Sequence, residues 1–72
     1  MDAVAQEKIT KILKGEIKYT STNLAFNMMI SKLQKKLQAD PGSLDSCLTD
    51  MEAFLKKYPV VAKVDLANIT AL

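Results

Sequence analysis

Histidine, arginine and tryptophan do not occur in this chain of 72 residues, and cysteine occurs once. Each absence narrows the chemistry. Without histidine, the commonest general base at neutral pH is missing. With one thiol and no histidine there is no ordinary all-protein zinc site and no internal disulfide. Without arginine there is no bidentate fork of the kind that reads guanine or grips phosphate. The two glycines, Gly15 and Gly42, lie too far apart to make a phosphate-cradling loop. No run of about 18 apolar residues occurs, so no transmembrane segment is expected. Met1-Asp2-Ala3 does not begin a charged n-region followed by an apolar stretch, so no signal peptide is expected. These absences predict a non-enzymatic protein without metal, cofactor or small-molecule substrate. The lone thiol points to a reducing, cytoplasmic setting.

The residues that do occur suit a single globular domain over 1–72: 49% are hydrophobic and 25% charged. Ten lysines stand against eight acids, a net charge of +2, which demands no polyanionic partner. A chain of about 60 residues buries only about 60% of its unfolded surface, so stability is marginal without help. With disulfide and metal excluded, the remaining help is self-association or a partner protein.

Apolar periodicity predicts an all-α fold, a small bundle of three to four short helices around a central antiparallel hairpin, with helices roughly at 3–18, 23–38, 44–58 and 60–71. Asp2 is placed to cap the first helix, where Ala5, Ile9, Ile12, Leu13 and Ile17 share one arc and Lys8, Lys11, Lys14 and Lys18 the opposite one. Gly15 marks a competing stop, with Glu16 to Thr20 then extended. A cap at Ser21, Thr22 or Asn23 opens the second helix, with its stripe of Phe26, Met29, Ile30, Leu33 and Leu37. Asp40-Pro41-Gly42-Ser43 separates it from the third, with Ser43 as N-cap. There Leu44, Cys47, Leu48, Met51, Phe54, Leu55 and Tyr58 form one arc. Pro59 then leads a segment apolar nearly all round, with Lys63, Asp65, Asn68 and Thr70 left to face water. A shorter version of that segment keeps Val60 to Val64 extended and lets Asp65 cap a final turn.

Three groups of side chains invite a functional reading. Cys47 lies on the apolar arc and reads as a small core hydrophobe. The row Lys8, Lys11, Lys14 and Lys18 offers a possible anion-binding face for phosphates or an anionic membrane surface, although such a row is more often solvated helix backing. Leu24 and Met28 fall off the main stripe of the second helix. Together with Val60, Val61, Val64, Leu66, Ile69 and Leu72 they make a candidate partner interface. The loop Gly42-Ser43-Leu44-Asp45 resembles the Asp-Ser-Leu attachment site of acyl carrier proteins. Gly42 stands where that family has its aspartate, however, and the chain is basic where carriers are acidic.

The function expected from these features is a small non-catalytic protein–protein interaction module in an adaptor, chaperone-like or machine-subunit role. It is expected to form a homodimer or dock on a larger protein partner. The alternative is a small nucleic-acid-associated regulator using the lysine face, which the lack of arginine and the four scattered aromatics disfavour.

Overall fold

The computed structural model describes residues 1–69. α1 spans Ala3–Leu13, α2 spans Leu24–Ala39 and α3 spans Leu44–Lys57. A 3-10 turn, Pro41–Ser43, joins α2 to α3, and a π-helical turn, Val61–Asp65, follows α3. The fold is all-α, with no strand among the described residues. No described helix is long and apolar enough to cross a membrane.

α2 and α3 pair as the antiparallel hairpin. The Cys47 thiol lies 3.8 Å from the Leu33 carbonyl, Lys36 Nζ reaches Ser46 Oγ at 2.7 Å, and the rings of Phe26 and Phe54 meet at 6.1 Å between centroids. Numbers rise along one helix as they fall along the other. The core collects Ile9, Ile12 and Leu13 from α1, Phe26, Ile30 and Leu33 from α2, and Cys47, Met51, Phe54 and Leu55 from α3. All four aromatics in the sequence form one row: Tyr19 meets Phe26 edge-on at 6.5 Å, and Phe54 meets Tyr58 at 4.8 Å.

Helix ends follow local chemistry. Asp2 Oδ1 accepts from the Ala5 amide at 2.7 Å, and Asn23 Oδ1 from the Phe26 amide at 3.1 Å. Of the three caps expected for α2, the structure selects Asn23, while Ser21 serves a different purpose described below. The first helix does not run to residue 18. Gly15 adopts φ +77°, its amide bonds to the Ile12 carbonyl at 3.0 Å, and the Glu16 amide bonds to the Lys11 carbonyl at 2.8 Å. This is a Schellman closure, which needs a left-handed residue at that point. The competing stop at Gly15 is therefore the correct one. Ser43 likewise does not cap α3. Its hydroxyl donates to the Asp40 carbonyl at 2.7 Å, while the Asp40 carboxylate accepts from the Gly42 amide at 3.1 Å. A buried Ser43 so engaged does not have the exposed hydroxyl that an acyl-carrier attachment site needs.

The described part of the fourth helix expected over 60–71 is the short π-helix Val61–Asp65 and a looser turn through 66–68, with the Leu66 amide bonded to the Val61 carbonyl at 3.0 Å. That wide turn buries Val61, Asp65 and Leu66 while leaving Val60 and Val64 outside. Asp65, expected to face water, is the anchor of this segment. Its Oδ1 accepts from Ser21 Oγ at 2.5 Å and from the Tyr19 hydroxyl at 3.0 Å. Lys8 Nζ bonds to the Leu66 carbonyl at 2.8 Å and adds a second tie from α1. At the other end of the molecule the N-terminal ammonium meets Glu52 Oε2 at 2.8 Å. That hydrogen bond, and then the ammonium charge, hold the Glu52 carboxyl below its ordinary range.

Candidate interaction surface

The structure divides the candidate interface residues. Val61, Leu66 and Ile69 are core, enclosed against α1, α2 and α3, so they are not available on the surface of one chain. Placing Val61, Leu66 and Ile69 in a partner interface is therefore corrected: one chain encloses them. The π turn and the Asp65 anchor fold the segment back onto the bundle, where three of its apolar side chains fill the core. Leu72 lies outside the described residues, as does Thr70.

Four of the expected interface residues remain exposed. Leu24 and Met28 are 74% and 73% exposed, and Val60 and Val64 are 56% and 50% exposed. Each pair is four apart in sequence. On α2 that spacing places Leu24 and Met28 one turn above the other along a single ridge. The next residues around the helix, Ala25 and Met29, line a groove between α2 and α3 of about 490 Å³. Its opposite wall is Ala53, Phe54, Lys57 and Tyr58, and Lys32 and Asp50 close one end. The ridge thus runs beside a shallow groove, about 100° round α2 from the residues that line it. From residue 25 to residue 32 the groove runs about 10 Å, or two helical turns.

The local sequence explains this arrangement. Phe26, Ile30 and Leu33 point inward and fix the rotation of α2. With that rotation set, Leu24 and Met28 must point out, and Ala25 and Met29 must flank α3. Short side chains at Ala25 and Ala53 keep the two helices from filling the space between them.

The rim is basic. α2 contains Lys32, Lys35 and Lys36 and no acidic residue. Lys36 is paired with Asp50, whereas Lys32 has no carboxylate partner among the described residues. Lys57 Nζ sits 5.7 Å from the centre of the Tyr58 ring at the groove's edge.

The lysine row of α1 is not kept together. Lys8 is turned to the Leu66 carbonyl, Lys11 lies 3.9 Å from Glu16 Oε1, and Lys18 falls beyond the Gly15 stop, off the helix altogether. Lys14 is left exposed at the C-cap. Cys47 takes the core position expected of it, with its thiol between Ser43 Oγ at 3.7 Å and the Leu33 carbonyl.

Ser21 and Asp65 were not foreseen as partners. Ser21 is a hub: its hydroxyl donates to Asp65 and accepts from the Asn23 amide at 2.8 Å, while its backbone exchanges two bonds with the Asn27 side chain at 2.9 and 2.8 Å. The one sequence signal was an aspartate set between Val64 and Leu66 in an apolar run. Tyr19 completes the cluster, and its hydroxyl is held above its ordinary value by burial first, then by its bond to Asp65 and the charge there, with Asn68 opposing. Among the described residues no buried side-chain polar atom lacks a partner, so this cluster reads as structural rather than as a binding site.

No protein-family model, curated protein or solved structure matches this chain.

Proposed function

We propose that this protein is a small non-catalytic protein–protein interaction module that works through the outer ridge of α2 and the α2/α3 groove beside it. The observation that carries the reading is the pair Leu24 and Met28, each nearly three-quarters exposed in a chain that buries its other long apolar residues on α2 in whole or part. Two large apolar side chains one turn apart, next to an open apolar groove, gain nothing for the fold and favour a second surface. Methionine adds adaptability, since its thioether repacks against differently shaped partners. A single, buried Cys47 suits work in a reducing compartment such as the cytoplasm. The role is that of an adaptor or machine subunit that contributes a docking face and no chemistry.

Site-specific photo-crosslinking tests this. A photo-reactive amino acid at Met28, in the cells that make the protein, should give a discrete adduct, and Leu24→Lys should remove it with the helical content unchanged. A probe at Lys14, exposed at the end of α1 and outside the groove, should give none. An adduct of twice the chain's mass identifies a second copy, and one of another mass a different protein. The absence of any discrete adduct at Met28 in a folded protein would contradict the reading.

A further inference from the structure

We infer that the occupant of the α2/α3 groove is an amphipathic helix carrying acidic residues beside its apolar stripe, from a protein other than this one. The inference rests on the interaction-module reading and adds the chemistry of the partner.

Shape comes first. The groove is floored by Ala25, Met29, Ala53 and Phe54 and runs about two helical turns, with the exposed Leu24 and Met28 on the adjacent face of α2. A groove of that length between two helices takes one face of a third, through residues spaced i, i+4 and i+7. An extended strand is a poorer fit, because both walls are helices whose backbone groups are already bonded within the helix and present no open edge.

Charge comes second. Lys32 and Lys57 stand on opposite walls, and Lys35 continues the basic side of α2. Among the described residues, the only carboxylate lining the groove is Asp50, and it is engaged with Lys36 at 3.2 Å. A helix that lays its apolar stripe on the floor brings its flanking residues against these lysines, so carboxylates there are favoured and lysines disfavoured.

The same charges argue against a second copy. Two α2 ridges packed against each other in a symmetric pair would bring Lys32 and Lys35 of both copies to one interface with no acid on either helix. The C-terminal segment, the other source of an apolar face for self-pairing, gives Val61, Leu66 and Ile69 to the core and leaves only Val60 and Val64 exposed.

The test uses the full chain with labelled methyl groups and two synthetic helical peptides. The peptides share leucines at i, i+4 and i+7 and differ only in having glutamates or lysines beside them. The glutamate peptide should shift the methyl signals of Ala25, Met28, Met29 and Ala53, more weakly as salt rises. The lysine peptide should bind about tenfold more weakly or less. The double variant Lys32→Glu with Lys57→Glu should invert that preference, and both substituted residues are exposed, so the fold is kept. Equal binding of the two peptides in the groove would overturn the acidic partner and leave the interaction-module reading standing. A dimer in sedimentation that Met28→Lys dissolves would do the same, by making a second copy the occupant. No shift on α2 or α3 with either peptide would overturn the inference, and the crosslink at Met28 would then decide the broader reading independently.

Discussion

Asp65 shows how much one residue decides in a chain this short. Its carboxylate holds Tyr19 and Ser21, residues 46 and 44 positions away, and so pins the C-terminal turn against the loop before α2. Removing it leaves two hydroxyls without their acceptor, so Asp65→Ala should cost about 1–3 kcal/mol in denaturant unfolding. Tyr19 reports on the same cluster through pH. Its hydroxyl titrates above the ordinary 10.0 when folded, chiefly because it is buried. A raised folded value means that the contribution is complete below pH 10 and is lost as pH climbs through the folded value. Stability measured from pH 9 upward should therefore fall more steeply in the parent than in Tyr19→Phe. Parallel curves would show that Tyr19 is not held as described. None of this was legible from composition, because an aspartate in an apolar segment reads as its one polar relief until its partners are known.

At the scale of elements, the arcs on α2 and α3 were readable from the sequence, and so was the hairpin between them. Phe26, Ile30, Leu33, Cys47, Met51 and Phe54 repeat at the helical period, and the period is the cause of their burial. The end of α1 was not readable in the same way. Ile17 keeps the phase of the preceding apolar face although the helix has stopped, and it reaches the core because the chain turns back there. The backbone sign at Gly15 decides the matter. No atom lies within 4 Å of where its Cβ would be, so Gly15→Ala meets no clash and carries the backbone cost alone. That cost should be about 1–2 kcal/mol in thermal or chemical unfolding, and Gly15→Asn should cost less, since asparagine tolerates the left-handed region. An alanine variant as stable as the parent would mean that α1 can continue past Gly15. The final segment, read as a helix over 60–71, forms only the short π-helix Val61–Asp65 among the described residues, for a different reason. Its apolar residues lie all round, so no face is specified, and long-range bonds to Ser21, Tyr19 and Lys8 set the turn.

Across the described residues, two groups of apolar side chains carry the argument. One closes the fold: Ile9, Phe26, Leu33, Met51 and Val61 from successive segments are at most 1% exposed. Leu33→Ala should cost about 2–5 kcal/mol, comparable to the whole stability of a small domain. Cutting the chain before Val61 should unfold it rather than dissolve an assembly. The second group, Leu24 and Met28 with Ala25 and Met29 beside them, flanks a groove the chain leaves open. Half of this was visible in the sequence, because Leu24 and Met28 depart from the α2 stripe. The groove was not, because its opposite wall comes from α3 and its width is set by two alanines whose facing is known only once the helices pack. The account stands on the second group being free of the fold. Urea unfolding of the double variant Leu24→Lys with Met28→Lys tests that most directly: the unfolding free energy should stay within about 0.5 kcal/mol of the parent per site, and a loss of several kcal/mol would show that this ridge belongs to the folded core and is not a surface held ready for a partner.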